Sequence, residues 1–304
     1  MAIFFGKVIF MTKRAAPVWI VLAGCLWGSM GIFVRRFNAG GISSMNIVFI
    51  RAVFTTVMIF VFAAVWKPSA MKIRLRDLWI FAGSGLLSIV FFNYCYFSGI
   101  SAMSLSAAAI LLYTSHVFVM LFSAVFFREA ITLRKIAAIA VSILGLALVT
   151  GIFSDTGTIS PLGILYGIGS AVGYALYSIF SRLDLNRGYT TLAITGWSFA
   201  FAAVFSAFFC DFSLLASLYT AEPSMLLFSL IFALMVSVLP YVFYSYGLTG
   251  VENSIAAVIA SVEPVAATIF GAVLFEEYPS LSSVIGIFLV LAALTLCIER
   301  PRKT

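Results

Sequence analysis

Ionisable side chains inside long apolar runs are the residues of this sequence that could do chemistry. Glu263 is the only charged residue between positions 254 and 275. At a helical rise of ~1.5 Å per residue it lies about 15 Å into its run, near the middle of a ~30 Å hydrocarbon layer. A carboxylate there costs several kcal/mol unless it faces protein or water. We therefore expect Glu263 to contact a cationic substrate amine or carry a coupling proton. The alternative is a carboxyl bonded to backbone groups freed by Pro264.

His116 and Arg51 are two more ionisable residues at depth. His116 could form a proton relay or a shared substrate contact with Glu263, or be a buried histidine bonded to a Ser or Tyr. Arg51 could clamp a substrate carboxylate, helped by Asn46 five residues before it, or could extend to the membrane surface. If Arg51 and Glu263 line one cavity, the natural ligand is a zwitterion such as an amino acid. An Arg–Glu pair without substrate fits equally well.

Polar aromatic side chains are plentiful in the same runs. A buried Tyr hydroxyl or Trp N–H needs a hydrogen-bond partner, so some of these groups are expected to face a polar cavity, although any one of them could simply pack. The candidates are Trp27, Tyr113, Tyr177 and Tyr244, with Asn93 as a further polar group at depth.

The composition excludes a soluble domain. Hydrophobic residues make up 63% of the 304, charged residues only 10%, and the mean hydropathy is +1.16; soluble domains carry roughly a quarter charged residues. The net charge of +7 comes from residues at the ends of apolar runs, so no nucleic-acid partner is expected. With four dispersed cysteines, one histidine and no Walker motif, the sequence predicts no metal, no cofactor and no ATP-driven mechanism.

Ten apolar windows predict an all-α membrane protein with ten transmembrane helices. The windows cover residues 16–35, 44–66, 78–98, 104–127, 132–151, 161–181, 189–210, 224–247, 253–275 and 281–298. With a cytoplasmic N-terminus, fifteen Lys and Arg residues fall inside and two outside. This asymmetry predicts a multi-pass protein of the cell (inner) membrane with both termini cytoplasmic, the tails being residues 1–15 and 299–304.

The two halves of the chain are repeats. A shift of 148 superposes Ser106 on Ser254, Phe122 on Phe270 and Glu129 on Glu277, and a shift of 147 or 148 aligns most of the rest. The predicted five-helix repeats are residues 16–152 and 160–298. Because five is odd, the second repeat enters the membrane from the opposite side. Inverted repeats of this kind place a substrate near the midplane and alternate its access by rocking one half against the other.

Two smaller features have structural explanations. Glu129 and Glu277 follow helix ends, where a carboxylate meets unpaired N–H groups, so we expect them to cap helices. Gly24 and Gly28 form a G-x-x-x-G pattern that predicts close helix packing.

Several motifs resemble one known family. They are Phe-Phe-Arg-Glu at 126–129, Leu-Phe-Glu-Glu at 274–277, Glu-Pro at 263–264 and Leu-Trp-Gly at 26–28. Together they resemble the EamA family of the drug/metabolite transporter superfamily. The resemblance implies a ten-helix, two-fold-related bundle that moves small metabolites, most often outward, through a cavity lined by both halves. His116 stands where the family usually carries Pro, so this helix could lack a kink.

The expected function is a secondary transporter, and not an enzyme. It would move a small polar or amphipathic metabolite across the lipid bilayer, an amino acid being one candidate, by export, coupled to protons or passively. A multidrug or cation efflux carrier is the alternative. A channel or a scaffold is less favoured. An intramembrane enzyme is also less favoured, because no nucleophile–base set is present. The sequence leaves a monomer and a homodimer both open.

Overall fold

The computed structural model describes residues 15–154 and 160–297. The predicted tails therefore lie almost wholly outside the described residues. Within the described residues there is no β-strand, and the helices follow the predicted windows closely. They are α1 (Ala16–Ala39), α2 (Ser44–Trp66), α3 (Leu75–Ala102), α4 (Leu105–Phe127), α5 (Leu133–Thr150), α6 (Pro161–Asn186), α7 (Thr191–Phe209), α8 (Phe212–Ala221), α9 (Ser224–Gly247), α10 (Asn253–Phe275) and α11 (Leu281–Cys297).

Nine of these helices, in the part of the chain that the structure describes, are long and apolar enough to span a membrane. The tenth predicted span is α11, whose 17 described residues pack along the full length of α5. The all-helical membrane fold predicted from composition is therefore confirmed. The sequence did not predict α8, a ten-residue apolar helix in the connection between α7 and α9.

Three pairs of equivalent helices from the two repeats are antiparallel neighbours: α2 with α7, α5 with α11, and α4 with α10. In the pair α2 and α7, Phe60 contacts Trp197 near one end and Arg51 lies over Phe199 further along. In the pair α5 and α11, Gly145 and Gly286 lie so close that a Cβ on either would meet the other's carbonyl oxygen, at 2.8 and 2.5 Å. The first half of α10 packs against the second half of α4. This arrangement is that of an inverted repeat about a pseudo-two-fold axis.

The same backbone irregularities recur in both repeats. α4 is interrupted at Thr114 and α10 at Ser261. α3 contains a π-helical stretch, Ser84–Phe91, and α9 contains another, Leu234–Val238. The interruption of α4 corrects the expectation that a helix without Pro at residue 116 could lack a kink. Its physical cause is the Thr114 hydroxyl, which donates to the Leu111 carbonyl oxygen at 2.6 Å and takes it from the helical hydrogen-bond ladder.

α1 packs against the interruption of α10, as the G-x-x-x-G pattern predicted. A Cβ at Gly28 would lie 2.6 Å from the Glu263 carbonyl oxygen, and one at Gly24 would lie 3.2 Å from the Ala260 carbonyl oxygen. The two glycines thus let the α1 backbone approach the start of the second half of α10, which carries Glu263.

Most described Lys and Arg side chains lie at one end of the bundle, here called the basic end. The α2–α3 and α6–α7 connections meet there, where Thr190 donates to the Ala70 carbonyl oxygen at 2.8 Å. The α4–α5 and α9–α10 connections meet there too, through the ion pair of Lys135 with Glu252. At the opposite end, Arg35 of α1 pairs with Glu277 after α10 at 2.8 Å. Glu129 and Glu277, equivalent in sequence, therefore lie at opposite ends.

Candidate functional site

Glu263 lies just after the interruption of α10 and retains partial solvent accessibility in the interior of the bundle. The Tyr174 side chain of α6 is close enough to hydrogen-bond to its carboxylate, and the Arg51 guanidinium of α2 is close enough to interact electrostatically. Glu263 is therefore not fully buried although it lies among the helices. The carboxylate is supported by groups from both repeats, because Arg51 belongs to the first and Tyr174 to the second.

Arg51 points inward. Its side chain is 3% exposed, so it does not extend to the membrane surface, which was one of the two alternatives from sequence. Its Nη1 faces the Met30 sulfur at 3.9 Å, and its Nε and Nη2 have no hydrogen-bond partner among the described residues. A buried guanidinium with unused N–H groups beside a cavity is a binding group for a carboxylate or phosphate.

Aromatic rings pack together near these two charges, and the rings and charges together are here called the candidate pocket. Trp27 of α1 lies 5.2 Å from Tyr241 and 5.4 Å from Tyr244 between ring centroids, and Tyr177 lies 4.8 Å from Tyr241. Tyr241 and Tyr113 both lie within electrostatic reach of Glu263. The pocket is therefore apolar in body with one acidic and one basic group, which is the composition expected for an amphipathic ligand.

The hydroxyls of two predicted residues are used within the protein. Tyr177 bonds to Ser245 at 3.1 Å, and Tyr244 bonds to Ser178 at 2.7 Å. These bonds hold the rings in place, so Tyr177 and Tyr244 present ring surface to the cavity. Tyr113 instead stacks on His116, with 6.2 Å between ring centroids and 7° between planes.

His116 bridges the two interrupted helices. Its Nε2 lies 3.2 Å from the Ser261 hydroxyl, which lies 2.8 Å from the Ser142 hydroxyl of α5. The bonding partner of His116 is thus a serine, and the partner of Glu263 is Tyr174. The described contacts bring no direct His116–Glu263 pair together, so they favour the buried, serine-bonded histidine over the proton relay.

The structure places Asn46 and Asn93 in structural roles. The Asn46 amide donates to the Asp211 carbonyl oxygen at 3.4 Å and accepts from the Asp211 N–H at 2.8 Å, which fixes the α7–α8 connection. The Asn93 amide donates to the Ile89 carbonyl oxygen at 2.7 Å, at the end of the π-helical stretch of α3. Both amides therefore have hydrogen-bond partners within the protein, and a contact of either with substrate stays a prediction.

Three pocket residues were not singled out from the sequence: Tyr96, Tyr174 and Tyr241. All three lie within reach of the Glu263 carboxylate. A signal for two of them existed, because each is the repeat equivalent of a residue that was singled out: Tyr96 of Tyr244 and Tyr174 of Trp27. In a cavity on a two-fold axis, a lining residue predicts that its equivalent faces it from the other side.

Polar contacts close the basic end below this pocket. The Glu129 carboxylate accepts from the Asn253 N–H at 2.8 Å and from the Ser254 hydroxyl at 2.7 Å, so it caps α10 from another helix. Lys135 pairs with Glu129 at 3.8 Å and also with Glu252. The capping role expected for Glu129 is confirmed, whereas Glu277 binds Arg35.

Comparison with known proteins agrees with this geometry. The model of the EamA-like transporter family matches residues 14–151 and again residues 161–298. An "uncharacterized transporter" of Archaeoglobus fulgidus is 25% identical over 294 residues, covering 94% of this chain and 97% of the relative. The "uncharacterized transporter YxxF" of Bacillus subtilis is 22% identical, covering 95% and 91%. A solved structure titled "Crystal structure of protein" shares the fold, with a TM-score of 0.76 and 17% identity, over 96% of this chain and all of that one.

A helical bundle of inverted repeats around a charged and aromatic pocket defines a membrane transporter. The chain belongs to the EamA-like transporter family, whose model it matches twice, once in each repeat. The family is one of the drug/metabolite transporter superfamily.

Proposed function

We propose that this protein is a secondary transporter for a small amphipathic zwitterion, of which an amino acid is the simplest example. One observation supports the proposal: Glu263 and the Arg51 guanidinium, whose Nε and Nη2 make no hydrogen bond to a described residue, interact electrostatically beside aromatic rings from both repeats. The substrate amine binds the Glu263 carboxylate, its carboxylate binds Arg51, and its apolar body lies against Trp27 and Tyr241. Removing either charge would leave the other unpaired at depth, so the pocket selects ligands that carry both.

A carrier of organic cations is the second candidate. It is favoured by the ring faces of Trp27, Tyr241 and Tyr244 beside Glu263, because aromatic faces attract cations. In that case Arg51 serves Glu263 as a counter-charge that the cation displaces.

Transport follows alternating access, and the contacts at the two ends of the bundle indicate the moving parts. At the basic end, Glu129 caps the start of α10 at Asn253 and Ser254. The equivalent contact at the other end would join Glu277 to the start of α4 at Ser106, but Glu277 binds Arg35, and the Arg35 hydrogen bond lowers the pKa of Glu277. The contact of Glu129 with the start of α10, and its equivalent between Glu277 and the start of α4, are here called latches. In the described state the latch at the basic end is therefore formed and the other is not. In the opposite state Glu277 leaves Arg35 and caps α4 while Glu129 releases α10.

The basic end is cytoplasmic in this proposal, which places both termini in the cytoplasm and the protein in the cell (inner) membrane. The latched state then faces outward. The direction of net transport is export, as is most common for the family that the sequence resembles, with a proton gradient as the driving force.

Charge-matched probes test the proposal on the purified protein. Leucine carries both charges, 3-methylbutylamine only the positive one and 4-methylpentanoate only the negative one. A ligand that binds the folded state raises the melting temperature in proportion to RT ln(1 + [L]/Kd). We expect leucine to stabilise the protein most. Because a charge-assisted hydrogen bond contributes about 1.5–3 kcal/mol, Glu263→Gln and Arg51→Gln should each weaken leucine binding roughly 10- to 150-fold.

Glu276→Gln and Arg128→Gln are the matched controls, since both side chains are exposed at equivalent turns outside the pocket. They should leave the leucine response unchanged. Stabilisation by 3-methylbutylamine alone would establish the cation carrier instead. An undiminished leucine response in Glu263→Gln would contradict both candidates.

A further inference from the structure

Asp184, near the end of α6 at the basic end, is a fully buried carboxyl without a partner. Its relative exposure is 0%, and neither of its side-chain oxygens accepts a hydrogen bond from any described residue. Buried polar groups in folded proteins are nearly always paired, and an unpaired buried anion costs several kcal/mol. The carboxyl therefore needs something that the described residues do not supply.

The nearest charged groups do not neutralise Asp184. Arg187 interacts with it electrostatically, but its Nη1 donates to Asp77 of α3 at 2.8 Å. The Tyr189 hydroxyl also donates to Asp77, at 2.5 Å. The available donors are thus committed to Asp77, whose own negative charge acts on Asp184. Asp184 also lies at the carbonyl end of α6, where the helix dipole disfavours an anion.

Buried hydroxyls lie on the face of α6 between Asp184 and the aromatic rings near Glu263, and this set is here called the hydroxyl track. Ser181 precedes Asp184 by three residues and Tyr177 precedes Ser181 by four, so the three share one face of α6. The Tyr177 hydroxyl faces Ser181 and Thr195, and the Tyr177 ring contacts Tyr241 in the pocket wall. Hydroxyls here that make no hydrogen bond of ordinary geometry to any described residue are those of Ser84, Ser181, Thr195 and Ser198.

The track exists in only one repeat. Phe37 is the equivalent of Asp184, and the backbone confirms it: the Phe37 carbonyl oxygen accepts from Ile42 at 3.1 Å as that of Asp184 accepts from Tyr189 at 3.2 Å. Phe37 is also 0% exposed. The equivalents of Tyr177, Ser181 and Thr195 are Met30, Val34 and Val48. Apolar residues at these positions are therefore compatible with the fold. The four polar side chains occur only in the second repeat, where they lie towards the basic end.

We propose that Asp184 is a proton-binding site that exchanges with water at the basic end and is linked to the pocket by this hydroxyl track. A hydronium ion that gives its proton to a carboxylate oxygen leaves a water molecule and a neutral carboxylic acid, which removes the unpaired buried charge. The charged groups around the site are Arg187 and Asp77, with Arg74 and Arg76 beyond Asp77. The role of Asp184 in proton coupling rests on the proposed function. The protonation of Asp184 itself does not.

A hydrophobic carbodiimide tests the site, because it enters from the lipid side and adds to protonated buried carboxyls without a leaving group. The purified full chain is treated with dicyclohexylcarbodiimide across a pH series, and the adduct is located by mass spectrometry. We expect an adduct at Asp184 at acidic pH that falls at least tenfold as the pH rises. Asp77, held as an anion by Arg187, should react at least tenfold less. Sodium at fixed pH should have no effect.

Two variants separate the site from its surroundings. Asp184→Leu, which copies the apolar equivalent Phe37, should fold, melt at a higher temperature than the wild type at high pH because it removes the unpaired anion, and lose the adduct, whereas Asp77→Asn should keep the Asp184 adduct. In the leucine assay, Asp184→Leu should retain binding but lose its dependence on pH, and a retained dependence would overturn the link to the pocket. An adduct independent of pH, equal reaction at Asp77, or protection by sodium would overturn the proton site. If leucine fails to bind while Asp184 reacts as expected, the proton site at Asp184 is supported and the proposed substrate is wrong.

Discussion

Single side chains at depth were the most informative residues of the sequence, and they show where such reasoning is reliable. Glu263 and Arg51 were identified because a charge in hydrocarbon needs a reason, and in the structure the two side chains interact electrostatically. Asn46 and Asn93 were identified in the same way, and each hydrogen-bonds to a backbone group, which can satisfy an amide at depth. The depth of a residue in its apolar run does not predict which group its side chain contacts. That contact depends on how the helices pack, which a hydropathy profile does not contain.

His116 supports a prediction at the residue scale. His116→Leu removes the hydrogen bond between the His116 Nε2 and Ser261, which in turn bonds to Ser142. The substitution should lower the free energy of unfolding by about 1–3 kcal/mol. His116→Gln, which can still hydrogen-bond to Ser261, should recover much of that loss. Chemical or thermal unfolding of the purified variants measures both. Full stability in His116→Leu would show that the bridge between α4 and α10 contributes nothing.

At the scale of elements, hydropathy predicted where helices begin and end but not how they deviate. α2 was predicted at residues 44–66 and is observed at Ser44–Trp66, because each end is marked by a cap or a breaker. The interruption at Thr114 was missed because a Thr that bonds to the carbonyl three residues earlier looks like any other polar residue in an apolar run. α8 was missed because ten apolar residues are too few for a spanning window.

The contact of α1 with α10 gives a prediction at this scale. A Cβ at Gly28 would approach three α10 atoms within 2.6–2.8 Å, two of them backbone atoms, the Glu263 carbonyl oxygen and the Ala267 nitrogen. Gly28→Ala should therefore push the helices apart, destabilise the protein by about 1–3 kcal/mol and weaken leucine binding. Gly31→Ala is the control, since a Cβ there meets nothing within 4 Å. Equal melting temperatures for the two variants would contradict the close packing of α1 on α10.

At the scale of the whole molecule, the inverted repeat was predictable because sequence similarity and an odd number of spans together require it. The conformational state was not predictable, since both repeats carry the same Glu at the same place. The structure distinguishes them: Glu129 caps α10 at the basic end, and Glu277 binds Arg35 at the other. Two equivalent latches, one engaged and one released, are what alternating access requires of a symmetric carrier.

Locking each latch tests the central claim that one pocket opens to either side in turn. In one variant, cysteines replace Glu129 and Ser254, whose carboxylate and hydroxyl lie 2.7 Å apart in the structure. In a second variant, cysteines replace Glu277 and Ser106. Both variants also carry a reporter cysteine in place of Tyr113, in a chain that has no other cysteine. After cross-linking, a membrane-impermeant maleimide is applied from each side. The account predicts that the 129–254 lock leaves residue 113 reactive only from the side opposite the basic end, and the 277–106 lock only from the basic end. Reaction from the same side in both locked variants would contradict it.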